Sequence, residues 1–324
     1  MGTSVAELYR VDPSDGELIF INRWDNWNDY WHSIVSSRLG FEGTQCLFFF
    51  DREHVQALIH TLTPDGNLHF VREVPRRELE PFFWDLVVPG PFVYSEGPVR
   101  GNYSNNGLLL YHRGSGFAVT MALGSEGDLA VIDTFKGWRD SWDSIVGHGS
   151  IHGPPGFFFY DKSNGDLAFY DYHTRSSSSP GHLASPHIHS VGSWDLMVAI
   201  PLRNYPDEGR VDQVLFLNRG DGQAALYRTD DEVGLILVRR YALGEWGGSW
   251  DIIVPGQYLV GVPSTQLLAY SRTERRLQLI NLESDGAVTR GAEFEQGERQ
   301  WSQIVRGPWI GDADHLLFYR SEAE

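Results

Sequence analysis

The chain repeats the pattern Trp-x-x-apolar-Val six times, headed by Trp31, Trp84, Trp142, Trp194, Trp250 and Trp301. A repeat of this period limits the fold more than any local propensity does. The intervals are 53, 58, 52, 56 and 51 residues, and counting from Trp301 off the C-terminus and back in to Trp31 gives 54. An array whose last interval is completed only by joining its two ends is arranged as a ring. After each marker and a loop of variable length comes a second apolar run, at 47–50, 108–111, 157–160, 214–217, 267–270 and 316–319. These runs are short, β-rich and bounded by turn residues, as buried strands are. Turns such as Thr63-Pro64-Asp65-Gly66, Ser125-Glu126-Gly127-Asp128 and Ser284-Asp285-Gly286 then join a third and fourth strand as a hairpin, with glycine supplying the positive φ.

Four-stranded antiparallel units of this length, stacked face to face around an axis, make an all-β, six-bladed β-propeller, here a single domain over 1–324. The last repeat stops after its second strand, at Tyr319-Arg320, whereas the chain opens with two strands, expected at 6–11 and 17–22, around Pro13-Ser14-Asp15-Gly16. Residues 1–22 are therefore expected to pair with 301–320 and complete the last blade. Because every sheet then packs on both faces, the marker tryptophans read as inter-blade core. The segment 175–181, rich in serine, reads as a surface excursion of blade 3.

A content of 35 Gly beside 18 Phe, 14 Tyr and 11 Trp suits many short strands joined by tight turns. Forty-three acidic residues against 26 basic ones leave a formal charge of −17. Such a chain repels phosphate backbones and anionic surfaces, so neither a nucleic-acid partner nor membrane insertion is expected. Cys46, the single cysteine, sits in the apolar run Cys46-Leu47-Phe48-Phe49-Phe50 and reads as a buried thiol with no internal disulfide. The first residues show no basic stretch followed by an apolar one, and no uncharged apolar run approaches ~18 residues. A soluble, cytoplasmic protein is the expectation.

The order Trp-Asp-x-Ile-Val-x-Gly, variable loop, then Leu-Leu-Phe-Tyr-Asp-Arg resembles the FG-GAP/VCBS type of propeller repeat. Phe157-Phe158-Phe159-Tyr160-Asp161-Lys162 and Leu316-Leu317-Phe318-Tyr319-Arg320 carry the second-strand element best. The resemblance spans all six repeats and implies a scaffold. It also implies an Asp-rich calcium loop between first and second strands, a pattern from which this chain mostly departs. Only Asp207-Glu208-Gly209-Arg210-Val211-Asp212 and Gly311-Asp312-Ala313-Asp314 keep part of it, and solvated acidic loops are expected there. In blade count and size the chain is also similar to six-bladed lectins, in architecture only, because no Arg, Glu and Trp set repeats at equivalent positions.

The residue after each marker reads His32, Asp85, Asp143, Asp195, Asp251 and Ser302. Repetition of aspartate there is explained by a carboxylate accepting backbone N–H groups in the turn entering the inner strand, and less well by a cation site. Blades 1 and 6, neighbours in the closed ring, depart from the pattern with His32, Ser33, Ser36, Arg38, Ser302, Gln303 and Arg306, where blades 2, 4 and 5 have Leu86, Leu196 and Ile252. One side of the channel is thus a candidate site, its two guanidinium groups suited to a carboxylate or to sugar hydroxyls. The loops add His148, His152, Arg203, Tyr205, Tyr258 and Trp309, aromatic faces and donors of the kind that bind sugars.

His148-x-x-x-His152 and His187-x-His189 could each present two imidazoles, but neither comes with the three or four ligands that zinc requires, and no metal or other cofactor is expected. No Gly-x-Ser-x-Gly elbow and no phosphate loop occurs. The leading expectation is a non-enzymatic, lectin-like module for a carbohydrate or another small polar ligand. The alternative is a propeller enzyme, a cyclase, lyase or hydrolase, with one asymmetric site at the channel mouth using His32, Arg306 or His148.

Overall fold

A computed structural model describes residues 4–27, 31–40, 43–80, 83–90, 93–94, 103–104, 107–148, 156–173, 182–183, 187–200, 213–230, 234–295, 300–310 and 314–321. It is a six-bladed β-propeller built from four-stranded antiparallel blades. The innermost strands are Ser33–Arg38, Leu86–Gly90, Ser144–His148, Leu196–Ile200, Ile252–Gly256 and Gln303–Gly307, and each approaches only the inner strands before and after it, so that the six close a ring. The sixth blade is completed from the other end of the chain: Ser4–Val11 lies between His315–Arg320 and Leu18–Trp27. Both N-terminal strands run longer than the sequence pattern suggests, because the hairpin continues through Trp24 and Trp27, which stack on each other. In blade 3, Asp166–His173 pairs with His187–Ser190 and also with the two-residue strand His182–Leu183; the expected excursion, 175–181, lies outside the described residues.

Strand alternation explains why the second strands are continuously apolar. On Gln45–Asp51, Phe48 and Phe50 face blade 2 while Leu47 and Phe49 face blade 6, and all four are at most 1% exposed. The core is accordingly divided into six buried clusters, one at each joint between blades. Each joint contains a marker tryptophan, none more than 7% exposed. The turn glycines Gly66, Gly127 and Gly286 adopt φ near +80°, as their hairpins require. Among the described residues, no helix is long and apolar enough to cross a membrane.

Candidate functional site

At the end of the channel where the inner strands begin, the repeated aspartate is a cap. Asp85, Asp143, Asp195 and Asp251 each accept, through one carboxylate oxygen, the backbone N–H of Arg113, Lys162, Arg219 and Arg272, at 2.7, 2.7, 2.9 and 2.7 Å. The amide belongs to the residue just past the second strand, not to the turn entering the inner strand, which corrects the expected geometry while keeping its logic. His32 and Ser302 do the same work with other atoms: His32 Nδ1 accepts from Arg52 N–H at 3.1 Å and Ser302 Oγ from Ser321 N–H at 3.2 Å.

The capped residue is basic in five blades, and its side chain reaches forward to the next blade. Arg113 donates to the carbonyls of Trp142 and Asp143, Arg272 to those of Trp301 and Ser302, and Arg219 to that of Asp251. Arg52 and Lys162 instead pair with the carboxylates of Asp85 and Asp195. The Lys162 ammonium holds the Asp195 carboxyl below the usual carboxylate range. The joint between blades 6 and 1 has Ser321 at this place and closes differently. Gln303 Nε2 donates to the carbonyls of Trp31 (3.0 Å) and His32 (3.3 Å), the acceptors equivalent to those that Arg113 and Arg272 use, while its Oε1 accepts from Ile34 N–H at 2.8 Å. Gln303 is therefore the brace of the closing joint.

Farther along the inner strands, positions one and four remain half-buried in every blade. Leu86, Leu196, Ala199 and Ile252 among them also pack against the inter-blade clusters, and blade 3 has Ser144 and Gly147 at these positions. Blades 2, 4 and 5 contribute Leu86, Pro89, Leu196, Ala199, Ile252 and Pro255, whereas blades 1 and 6 contribute Ser33, Ser36, Gln303 and Arg306. Arg306 Nη1 donates to Pro255 O at 2.7 Å, and its Nε lies 2.9 Å from Asp314 Oδ1. Asp314 is 11% exposed and Arg306 24%, so the ion pair is largely shielded. Arg306 Nη2 has no partner among the described residues.

Tyr258 and Trp309, expected as aromatic faces at a loop mouth, are 2% and 5% exposed and belong to the core. Each folds back over the glycine two residues before it: a Cβ at Gly256 would meet the Tyr258 ring at 2.5 Å, and one at Gly307 would meet the Trp309 ring at 2.5 Å. Tyr258 OH donates to Val254 O, and Trp309 Nε1 donates to Ser36 Oγ across the closing joint. Arg38 ends its strand beside Gln45, whose carbonyl oxygen accepts from Arg38 Nη2 at 3.1 Å once the amide is oriented to satisfy both groups. His148 ends the inner strand of blade 3, with its side chain outside the described residues, as are His152, Arg203 and Tyr205 and most of both partial Asp-rich loops. His187 and His189 lie on the outer strand His187–Ser190 of blade 3. Among the described residues, no three His, Cys, Asp or Glu side chains are grouped to hold a metal ion.

The structure thus brings Ser36, Gln303 and Trp309 to the closing joint, while Arg306, of the same inner strand as Gln303, turns to Pro255 of blade 5 and to Asp314. Sequence reasoning missed Asp314 as the partner of Arg306, and it missed the five forward-reaching basic residues. The second group left a signal: Arg52, Arg113, Lys162, Arg219 and Arg272 each stand two residues after the last apolar residue of a second-strand run.

No protein-family model matches the chain, and no curated protein does. Among solved structures it is similar to AofleA from Arthrobotrys oligospora, with 9% identity over 99% of this chain and 84% of that one and a TM-score of 0.49. It is also similar to a candidate 6-phosphogluconolactonase from Bacteroides uniformis, with 11% identity over 90% and 79% and a TM-score of 0.49. A third is Sqt1 from Chaetomium thermophilum, solved with the N-terminus of a ribosomal protein, with 11% identity over 94% and 74% and a TM-score of 0.47. At these values the likenesses carry no argument about what this chain binds or does.

Proposed function

We propose that this propeller is a non-enzymatic, lectin-like binding module that takes a carbohydrate or another small, uncharged polar ligand on the closing-joint side of its channel. One observation carries the reading: the half-buried inner-strand positions of blades 1 and 6 hold Ser33, Ser36, Gln303 and Arg306, whereas those of blades 2, 4 and 5 hold Leu86, Pro89, Leu196, Ala199, Ile252 and Pro255, with Ser144 and Gly147 in blade 3 between them. A molecule with hydroxyls along one edge and C–H groups along the other is complementary to such a wall. Arg306 is already neutralised by Asp314, so its open Nη2 supplies directed donors without net attraction for anions. The overall charge of −17 further disfavours a carboxylate or phosphate ligand.

Two of the groups that catalysis would use, His32 and Arg306, are engaged by the scaffold. His32 offers Nδ1 to a backbone amide, and Arg306 commits Nε and Nη1, which favours binding over turnover. The resemblance to FG-GAP/VCBS repeats belongs to the same reading, in which the repeat builds the scaffold and the irregular positions supply specificity.

A glycan array followed by calorimetry, with the ligand monitored by NMR, tests this. The expected result is one site per chain, an unchanged ligand after prolonged incubation, and loss of binding in Arg306→Gln, which keeps a donor for Pro255 O. Chemical conversion of the ligand overturns the non-enzymatic half of the proposal. A blank array, or binding that survives Arg306→Gln, overturns the site.

A further inference from the structure

Among the six side chains that cap the second strands, four are aspartate, one is serine and one, His32, is an imidazole. The difference is chemical as well as steric. A carboxylate remains an acceptor until strongly acid pH, whereas an imidazole changes charge between about pH 5 and 8, and Nδ1 accepts a hydrogen bond only while it carries no proton. His32 is 37% exposed, so protons reach it, and its Nδ1 also lies 3.7 Å from Asp51 Oδ1. Asp51 in turn organises the turn that follows the strand, accepting from Glu53 N–H, His54 N–H and His54 Nδ1 at 2.9, 3.2 and 2.6 Å.

The titratable and charged groups around the imidazole are thus Asp51, Arg52, Glu53 and His54 of its own blade and, from blade 2, Asp85, which Arg52 holds at 2.9 Å. Blade 6 presents the uncharged Gln303. Protonation of Nδ1 sets two N–H groups against each other at the Arg52 amide and turns the imidazolium toward the Asp51 carboxylate, which His54 and the turn amides already occupy.

We infer that protonation of His32 releases the turn at 52–54 and so makes the hold of blade 1 on blade 2 sensitive to pH, while the aspartate-capped joints stay closed. This is independent of what the channel binds. The repeat provides its own controls, because the amides of Arg113, Lys162, Arg219 and Arg272 occupy the same place with carboxylate caps.

The experiment is site-resolved amide hydrogen exchange on the full chain, with intrinsic rates divided out, at about pH 7.5 and about pH 5.5. Protection of the Arg52 amide is expected to fall by about tenfold, while the four control amides change by less than about threefold. His32→Asp, which gives blade 1 the two aspartates that blade 3 has at Asp143 and Asp161, should hold Arg52 protected at both pH values, and His54→Gln should leave the fall in place. Arg52 protection that does not change with pH, that changes in step with the controls, or that falls equally in His32→Asp overturns the inference. Should either variant fail to fold, the unsubstituted chain decides the matter alone, since the controls lie in the same molecule.

Discussion

Five joints of this ring and the sixth solve one problem with different chemistry. In the five, a basic residue just past the second strand reaches forward to the marker tryptophan of the next blade or the residue after it; at the sixth, Gln303 of the inner strand takes the carbonyls equivalent to those that Arg113 and Arg272 use. The difference follows from the residue past the second strand, which in blade 6 is Ser321, too short to reach the next blade. Gln303 is instead anchored within a paired inner strand and reaches both Trp31 and Ile34. Closure is thus braced from an inner strand, and a polar residue at that position need not be there for a ligand.

The largest effect should come from packing, which the two kinds of joint share. Trp142→Ala removes a side chain that is 1% exposed and is expected to cost about 3–5 kcal/mol in chemical denaturation. A loss below about 1 kcal/mol would show that the joints are not held mainly by their aromatic cores.

The comparison is sharpened by Gln303→Ala beside Arg272→Ala. The first strands the Ile34 amide as well as two carbonyls and should cost about 2 kcal/mol, the second leaves two carbonyls only and should cost about 1 kcal/mol. The double variant Gln303→Leu with Ser321→Arg installs the regular chemistry at the closing joint. Recovery of at least part of the stability lost in Gln303→Leu is expected from melting curves, and none at all would break the claimed equivalence.

Smaller is the effect of His60, whose ring lies edge-on between Phe49 and Phe70 near the closing joint. Burial pushes it down to about 4, with His69 adding to the shift. Its folded value lies below its unfolded one, so the unfolded state binds more protons in between. Stability should therefore be full above about pH 6.5 and decline as the pH falls toward 4, by on the order of 1 kcal/mol after allowance for its partial exposure. His60→Leu should flatten that part of the pH–stability curve. Smallest of all, Lys162→Ala should change stability by about 0.5 kcal/mol or less, because the pair it makes with Asp195 is half exposed.

The architecture was legible from sequence because burial repeats there. Phe48, Phe159 and Leu268 announce second strands through their immediate neighbours, and Trp31 through Trp301 count the blades and reveal the closure. Blade-to-blade polar contacts were less legible. The aspartate caps could be anticipated as backbone acceptors, but the amide they bind lies across the blade, 19 to 28 residues on. Tyr258 and Trp309 were read as binding aromatics because they stand in loops, yet each lies two residues past a glycine that lets it fold inward.

By itself the sequence determined the ring, its six blades and the N-terminal strands that complete the last one, because alternating burial and turn chemistry are local and periodic. The tertiary structure decided which polar side chains are spent and which remain open. Gln303 is taken up by Ile34, 269 positions away, and Trp309 by Ser36, 273 away. Arg306 is held by Asp314 and by Pro255, 51 positions back. Such partners share no period with the repeat, since closing the ring is what makes them neighbours.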